Sequence, residues 1–108
     1  MKMKLLLECK RPDDLKARII KRVEEGKQET WKILIHENIK YLQHIGQWAE
    51  KGVVSLTNNF IPIGLAVEVL PFKNVKESNS DFEGYLLGRF FEIIFVNYSD
   101  EFTSIKKG

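Results

Sequence analysis

Between Thr30 and Leu70 the apolar residues recur at every second position, and this alternation leaves the chain few folds to choose from. Trp31, Ile33 and Ile35 fall on one side of an extended backbone, and Lys32, Leu34 and His36 on the other. Glu37-Asn38 supplies a tight turn, after which Ile39, Tyr41 and Ile45 alternate with Lys40, Leu42 and His44. Val53 to Thr57 is β-branched and apolar, and Asn58-Asn59 offers turn chemistry. Ile63, Leu65, Val67 and Val69 form the most regular run, closed by Pro71. The stretch reads as a meander of about four antiparallel strands joined by short turns.

Different periods flank this meander. Lys2 to Lys10 reads as a strand with a three-leucine centre, the pattern of a strand covered on both faces. Arg11-Pro12-Asp13-Asp14 opens a helix, because proline suits a first turn and acids there meet the positive end of the helix dipole. Leu15, Ile19 and Val23 recur every four residues with Ile20 alongside, and Gly26 stops the helix. Phe72 to Ser80 is polar and irregular. Ser80 or Asp81 then caps a second helix that runs to about Tyr98, on a stripe of Phe82, Leu86, Phe90, Ile93 and Ile94. A strand over 90–98 is the rival for its second half. Gly84 and Gly88 each cost such a helix about 1 kcal/mol against alanine, which points to close packing against it. Glu101 to Lys106 reads as a final edge strand with Phe102 and Ile105 inward.

The predicted fold is therefore α+β: an antiparallel sheet of five or six strands with two helices packed on one face, in the order β-α-β-β-β-β-α-β. The 108 residues suit one domain around one core, and no internal repeat or linker divides them. The net charge of +2 is too even for a protein that works by neutralising phosphates, so nucleic acid is not the expected partner. One cysteine, Cys9, excludes an intrachain disulfide. The opening apolar run stops at Glu8, too short for a signal peptide, and no stretch approaches the roughly 20 apolar residues that span a bilayer. A cytoplasmic location with no membrane partner is the expectation.

Catalytic chemistry finds little purchase. There is no Gly-x-Ser-x-Gly turn, no phosphate-cradling glycine loop and no His-x-x-x-His pair. His36 and His44 share a face by parity if they flank one hairpin, but no third or fourth metal ligand stands near them, so neither a metal nor a cofactor is expected. Alternation puts Glu8 and Glu68 on the outer face of their strands, and Glu92 falls opposite the main stripe of the second helix. The suggestive cluster is aromatic. Trp31, Tyr41 and Trp48 lie close in sequence with His44 and Gln47 between, a composition suited to a shallow ligand pocket, although Trp31 also fits a core. Arg89 is a charge embedded in an apolar helix; it would anchor a carboxylate ligand or pair with an acid such as Glu68, the pair being the favoured reading.

Tyr41, His44, Trp48 and Arg89 are thus the candidate ligand-binding residues. A non-enzymatic protein-interaction or binding module, with a protein partner or a second copy as a homodimer, is the leading expectation. The first alternative is a small enzyme or ligand carrier with an aromatic and histidine pocket. The second is a weak RNA binder using Lys16, Arg18, Lys21 and Arg22 on the first helix, where interspersed acids favour a merely solvated face.

Overall fold

The computed structural model describes residues 4–46, 51–72 and 81–107. It contains a six-stranded antiparallel sheet and two helices, an α+β fold in the predicted order. The elements are β1 (Lys4–Glu8), α1 (Pro12–Glu24), β2 (Trp31–His36), β3 (Ile39–His44), β4 (Gly52–Phe60), β5 (Ile63–Pro71), α2 (Asp81–Asn97) and β6 (Ser104–Lys107). The strands lie side by side as β2-β3-β4-β5-β1-β6. The meander thus supplies four consecutive strands, and β1 enters beside the last of them.

The period-two pattern decides which side chains meet the helices. Leu7, Trp31, Leu42, Val54, Leu56, Leu65, Val67 and Val69 all turn to one face and are buried there. Cross-strand register keeps them in rows, with Leu7 opposite Leu65, Leu56 opposite Val67, and Val54 opposite both Val69 and Leu42. The most regular run in the sequence, β5, is the strand that joins the meander to β1, and its Leu65, Val67 and Val69 have no exposed surface. α1 lays Leu15, Ile19 and Val23 on this face and α2 lays Leu86, Phe90 and Ile94. Each such side chain contributes roughly 1.5–3 kcal/mol on burial. The reverse face carries Leu6, Val53 and Ala66, together with Ser55 paired across from Glu68.

Local chemistry sets the boundaries. α1 starts on Pro12 with Asp13 and Asp14 in its first turn, and Gly26 after it takes φ +76°, the left-handed conformation that glycine adopts at little cost. Glu24 and Glu25 oppose the dipole at this end; Glu24 is held instead by Lys40 at 2.8 Å. Glu37 and Asn38 both have positive φ, the mark of a two-residue hairpin turn. The second apolar stripe is helical through Asn97, so the strand alternative over 90–98 is excluded.

Three local expectations are corrected. Asn58-Asn59 does not turn: β4 runs on to Phe60 and the chain reverses at Ile61-Pro62, joined by a cis peptide bond, while the Asn59 amide donates to the Pro62 carbonyl at 2.7 Å. The last strand begins at Ser104 rather than Glu101, because Glu101 is drawn to Arg18. Among the described residues no neighbour presses on Gly88, where an added Cβ would find nothing within 4 Å.

Candidate functional site

Side chains from four elements and one connection converge on a cleft of about 560 Å³. It opens where the last turn of α1, the far end of the β2–β3 hairpin and the second half of α2 come together. The two-residue turn at Glu37-Asn38 fixes this geometry. It places Trp31 opposite His44 at the open end of the hairpin, and the Ile45 amide donates to the Thr30 carbonyl at 2.7 Å to close that end. Both rings turn to the helix-covered face. They meet edge to face with centroids 5.1 Å apart, and Trp31 meets the Phe90 ring of α2 the same way at 6.2 Å. Trp31, only 4% exposed, is at once core and floor of the cleft.

Charge enters from the two helices. Arg22 reaches in from α1, and its Nε is buried without a hydrogen-bond partner among the described residues. Arg89 enters from α2 and is held on one side by Glu92, Nη1 to Oε1 at 3.1 Å. His44, half-buried in the same cleft, has its pKa lowered from the ordinary 6.5, first by burial and then by the positive charge of Arg89. Both effects favour the neutral imidazole. Gln28, Thr30 and Asn97 add neutral polar groups, and Ile93 and Val96 an apolar wall.

Of the four residues singled out in the sequence, the structure brings His44 and Arg89 to this cleft. Tyr41 does not join them. Three positions from His44 on the same strand, it shares the opposite face of the sheet with its cross-strand neighbour Leu34. Trp48 lies outside the described residues. Arg89 pairs with Glu92 rather than Glu68, which stands on the reverse face opposite Ser55. His36 and His44 do not share a face either: His36 pairs with Ile39 beside the turn, at the other end of the hairpin, and sits 3.7 Å from the Glu37 carboxylate. Among the described residues no group of three histidine, cysteine or acidic side chains is placed to hold a metal ion.

The cleft also uses Arg22, Gln28, Thr30, Ile93, Val96 and Asn97, which sequence reasoning did not assign to it. A signal existed for the hairpin partners. Once Glu37-Asn38 is the turn, residues whose numbers sum to 75 face each other, and Trp31 with His44 follows by counting. No comparable rule brings α1 and α2 to that point, because their approach depends on packing over the sheet.

One residue of the basic stripe on α1, Arg18, is neutralised by acids. Arg18 is bound by Asp14 at 3.0 Å and by both oxygens of Glu101, and its guanidinium lies over the Tyr98 ring at 5.7 Å. Lys27 is 3.6 Å from Glu25. Within the described residues no helix is long and apolar enough to cross a membrane. Compared with family models, curated proteins and solved structures, the chain matches none.

Proposed function

We propose that the chain is a non-enzymatic binding module that receives its ligand in the cleft between α1, the β2–β3 hairpin and α2. The observation that carries this reading is the convergence of Trp31, His44, Arg22 and Arg89 on one concavity. Its volume falls within the roughly 300–1,000 Å³ of small-molecule sites, and its lining combines an apolar floor and wall with a few charged groups. Glu92, the carboxylate that lines the cleft among the described residues, faces Arg89 at the exposed rim, and we read these side chains as recognition groups.

The test is a ¹⁵N-correlated NMR titration with a fragment library. The expected result is a set of binders whose shifts concentrate on the Trp31 indole, His44 and Arg22. Shifts that gather elsewhere, or none at millimolar fragment, overturn the reading.

One observation favours a second reading, contact with another protein chain. The β4–β5 hairpin projects past its neighbours: β1 pairs with β5 only as far as Gly64, yet the hairpin continues to Phe60 and Ile63. At its tip Phe60 is 80% exposed and Ile61 93%. Such an apolar end suits a partner surface, including that of a second copy. Sedimentation velocity on the native chain and on Phe60→Ser/Ile61→Ser examines the homodimer: a dimer lost in the variant supports it, and a monomeric native chain removes it.

A further inference from the structure

We infer that the ligand of the cleft bears an anionic head, a carboxylate or a phosphate monoester, attached to an apolar group. This rests on the reading of the cleft as a binding site and adds the chemistry of what enters it. Among the described residues, the charged and titratable groups that face the cleft are Arg22 from α1, Arg89 and Glu92 from α2, and the imidazole of His44 from β3; β2 contributes the uncharged Trp31. Among these, two guanidiniums against one carboxylate make a net positive lining even with His44 neutral.

The two arginines differ in what they have already found. Arg89 is paired with Glu92 through a single nitrogen, in a contact where both side chains are more than half exposed, so that pair is worth little and yields to a better acceptor. Arg22 has its Nε withdrawn from solvent and facing no acceptor among the described residues. Buried polar groups are paired in the great majority of proteins, and a cationic donor left unpaired is costly. An anion seated in the cleft lies against the Arg22 side chain that lines it and compensates a guanidinium whose buried Nε has found no acceptor among the described residues, in the charge-assisted pairing that guanidinium groups form with carboxylate and phosphate oxygens. Ile93 and Val96 line the cleft beside Trp31, which accounts for the apolar part of the ligand.

Four probes test the inference by calorimetry at low ionic strength, with NMR to locate the site: phenyl phosphate, benzoate, the uncharged benzamide and inorganic phosphate. At least one of the two aromatic anions is expected to bind at least tenfold more tightly than benzamide, and the tighter of the two names the head group. Arg22→Gln is expected to weaken that anion by about tenfold or more, the range for a lost hydrogen bond to a charged group. Glu92→Gln, an exposed substitution that leaves the core untouched, removes the competing carboxylate and is expected to tighten binding by about threefold.

If benzamide binds as tightly as the anions while moving the Trp31 and His44 signals, the anion is refuted and the cleft survives as a neutral-ligand site. Inorganic phosphate that binds as tightly as phenyl phosphate refutes the apolar group. If Glu92→Gln weakens the anion, the electrostatic argument fails. If no probe moves the cleft signals, the inference and the reading beneath it fall together.

Discussion

Phe90 joins the core to the cleft, and its replacement by alanine tests both at once. The side chain has no exposed surface, and its ring meets Trp31 at 6.2 Å and Phe91 at 5.4 Å, both edge to face. Truncation removes a full ring from a packed interior and leaves a cavity that the sheet beneath cannot close, a change that costs about 3–5 kcal/mol. The aromatic contacts account for about 0.5–1.5 kcal/mol of that per pair. A chain of this size has roughly 5–15 kcal/mol to lose, so Phe90→Ala should remain folded at low temperature with its melting point reduced by 12 °C or more, on the scale of about 4–8 °C per kcal/mol. Phe90→Leu keeps most of the volume and should lose less than half as much. Urea unfolding followed by tryptophan fluorescence and by far-UV circular dichroism gives both values. The indole signal of Trp31 should shift in the folded variant, because the ring that fixes its edge is gone. A loss below about 1 kcal/mol with an unmoved Trp31 resonance would show that α2 does not rest on the tryptophan, and the floor of the cleft would have to be redrawn.

Three further perturbations test local geometry and charge. Gly64→Ala puts a Cβ 2.5 Å from the Leu7 carbonyl oxygen and 3.1 Å from the Glu8 Cα, backbone atoms that move only with their strand, so it should destabilise by about 1–3 kcal/mol; Gly88→Ala meets open space on a helix surface and should stabilise by about 1 kcal/mol, and thermal melts of both variants would refute the packing if the signs were reversed. His44 has a lower pKa folded than unfolded, so the unfolded chain takes up the proton first and stability should decline as pH falls through about 6.5 towards the folded value, then level off. Denaturant titrations across pH 5–8 should show that slope in the native chain and its reduction in His44→Gln; an identical slope in both would assign the proton elsewhere.

The fold was legible because its largest energetic term leaves a periodic trace. Leu15, Ile19 and Val23 announce a helix face, and Ile63 through Val69 a strand, since burial of one side is what each element requires. The turns were less legible. Asn58-Asn59 has turn-forming side chains, yet the neighbouring Pro62, which lacks a backbone N–H, is where the ladder ends. Gly84 and Gly88 suggested a close neighbour that the structure does not place at Gly88, because a glycine in sequence does not say whether space beside it is filled. The site was half legible. His44 was chosen for its aromatic company and Arg89 for its isolation among apolar residues, and both reach the cleft. Tyr41 was chosen on proximity along the chain, which in a strand says nothing about sharing a side. Arg22 looked like one more cation on a solvated stripe; that its neighbour Arg18 is engaged by two acids while Arg22 meets none among the described residues depends on where Glu101 lands, 83 residues after Arg18.

The β4–β5 hairpin spans two regimes within nine residues. At Val67 its ladder is clamped between strands and under helices, and at Phe60 it stands alone in solvent. Amide exchange along this one ribbon should grade from rates set by global unfolding to rates set by local fraying. The distal rungs can come apart and re-form without consulting the core, so selection can rewrite the outermost residues while the inner half stays under strict constraint.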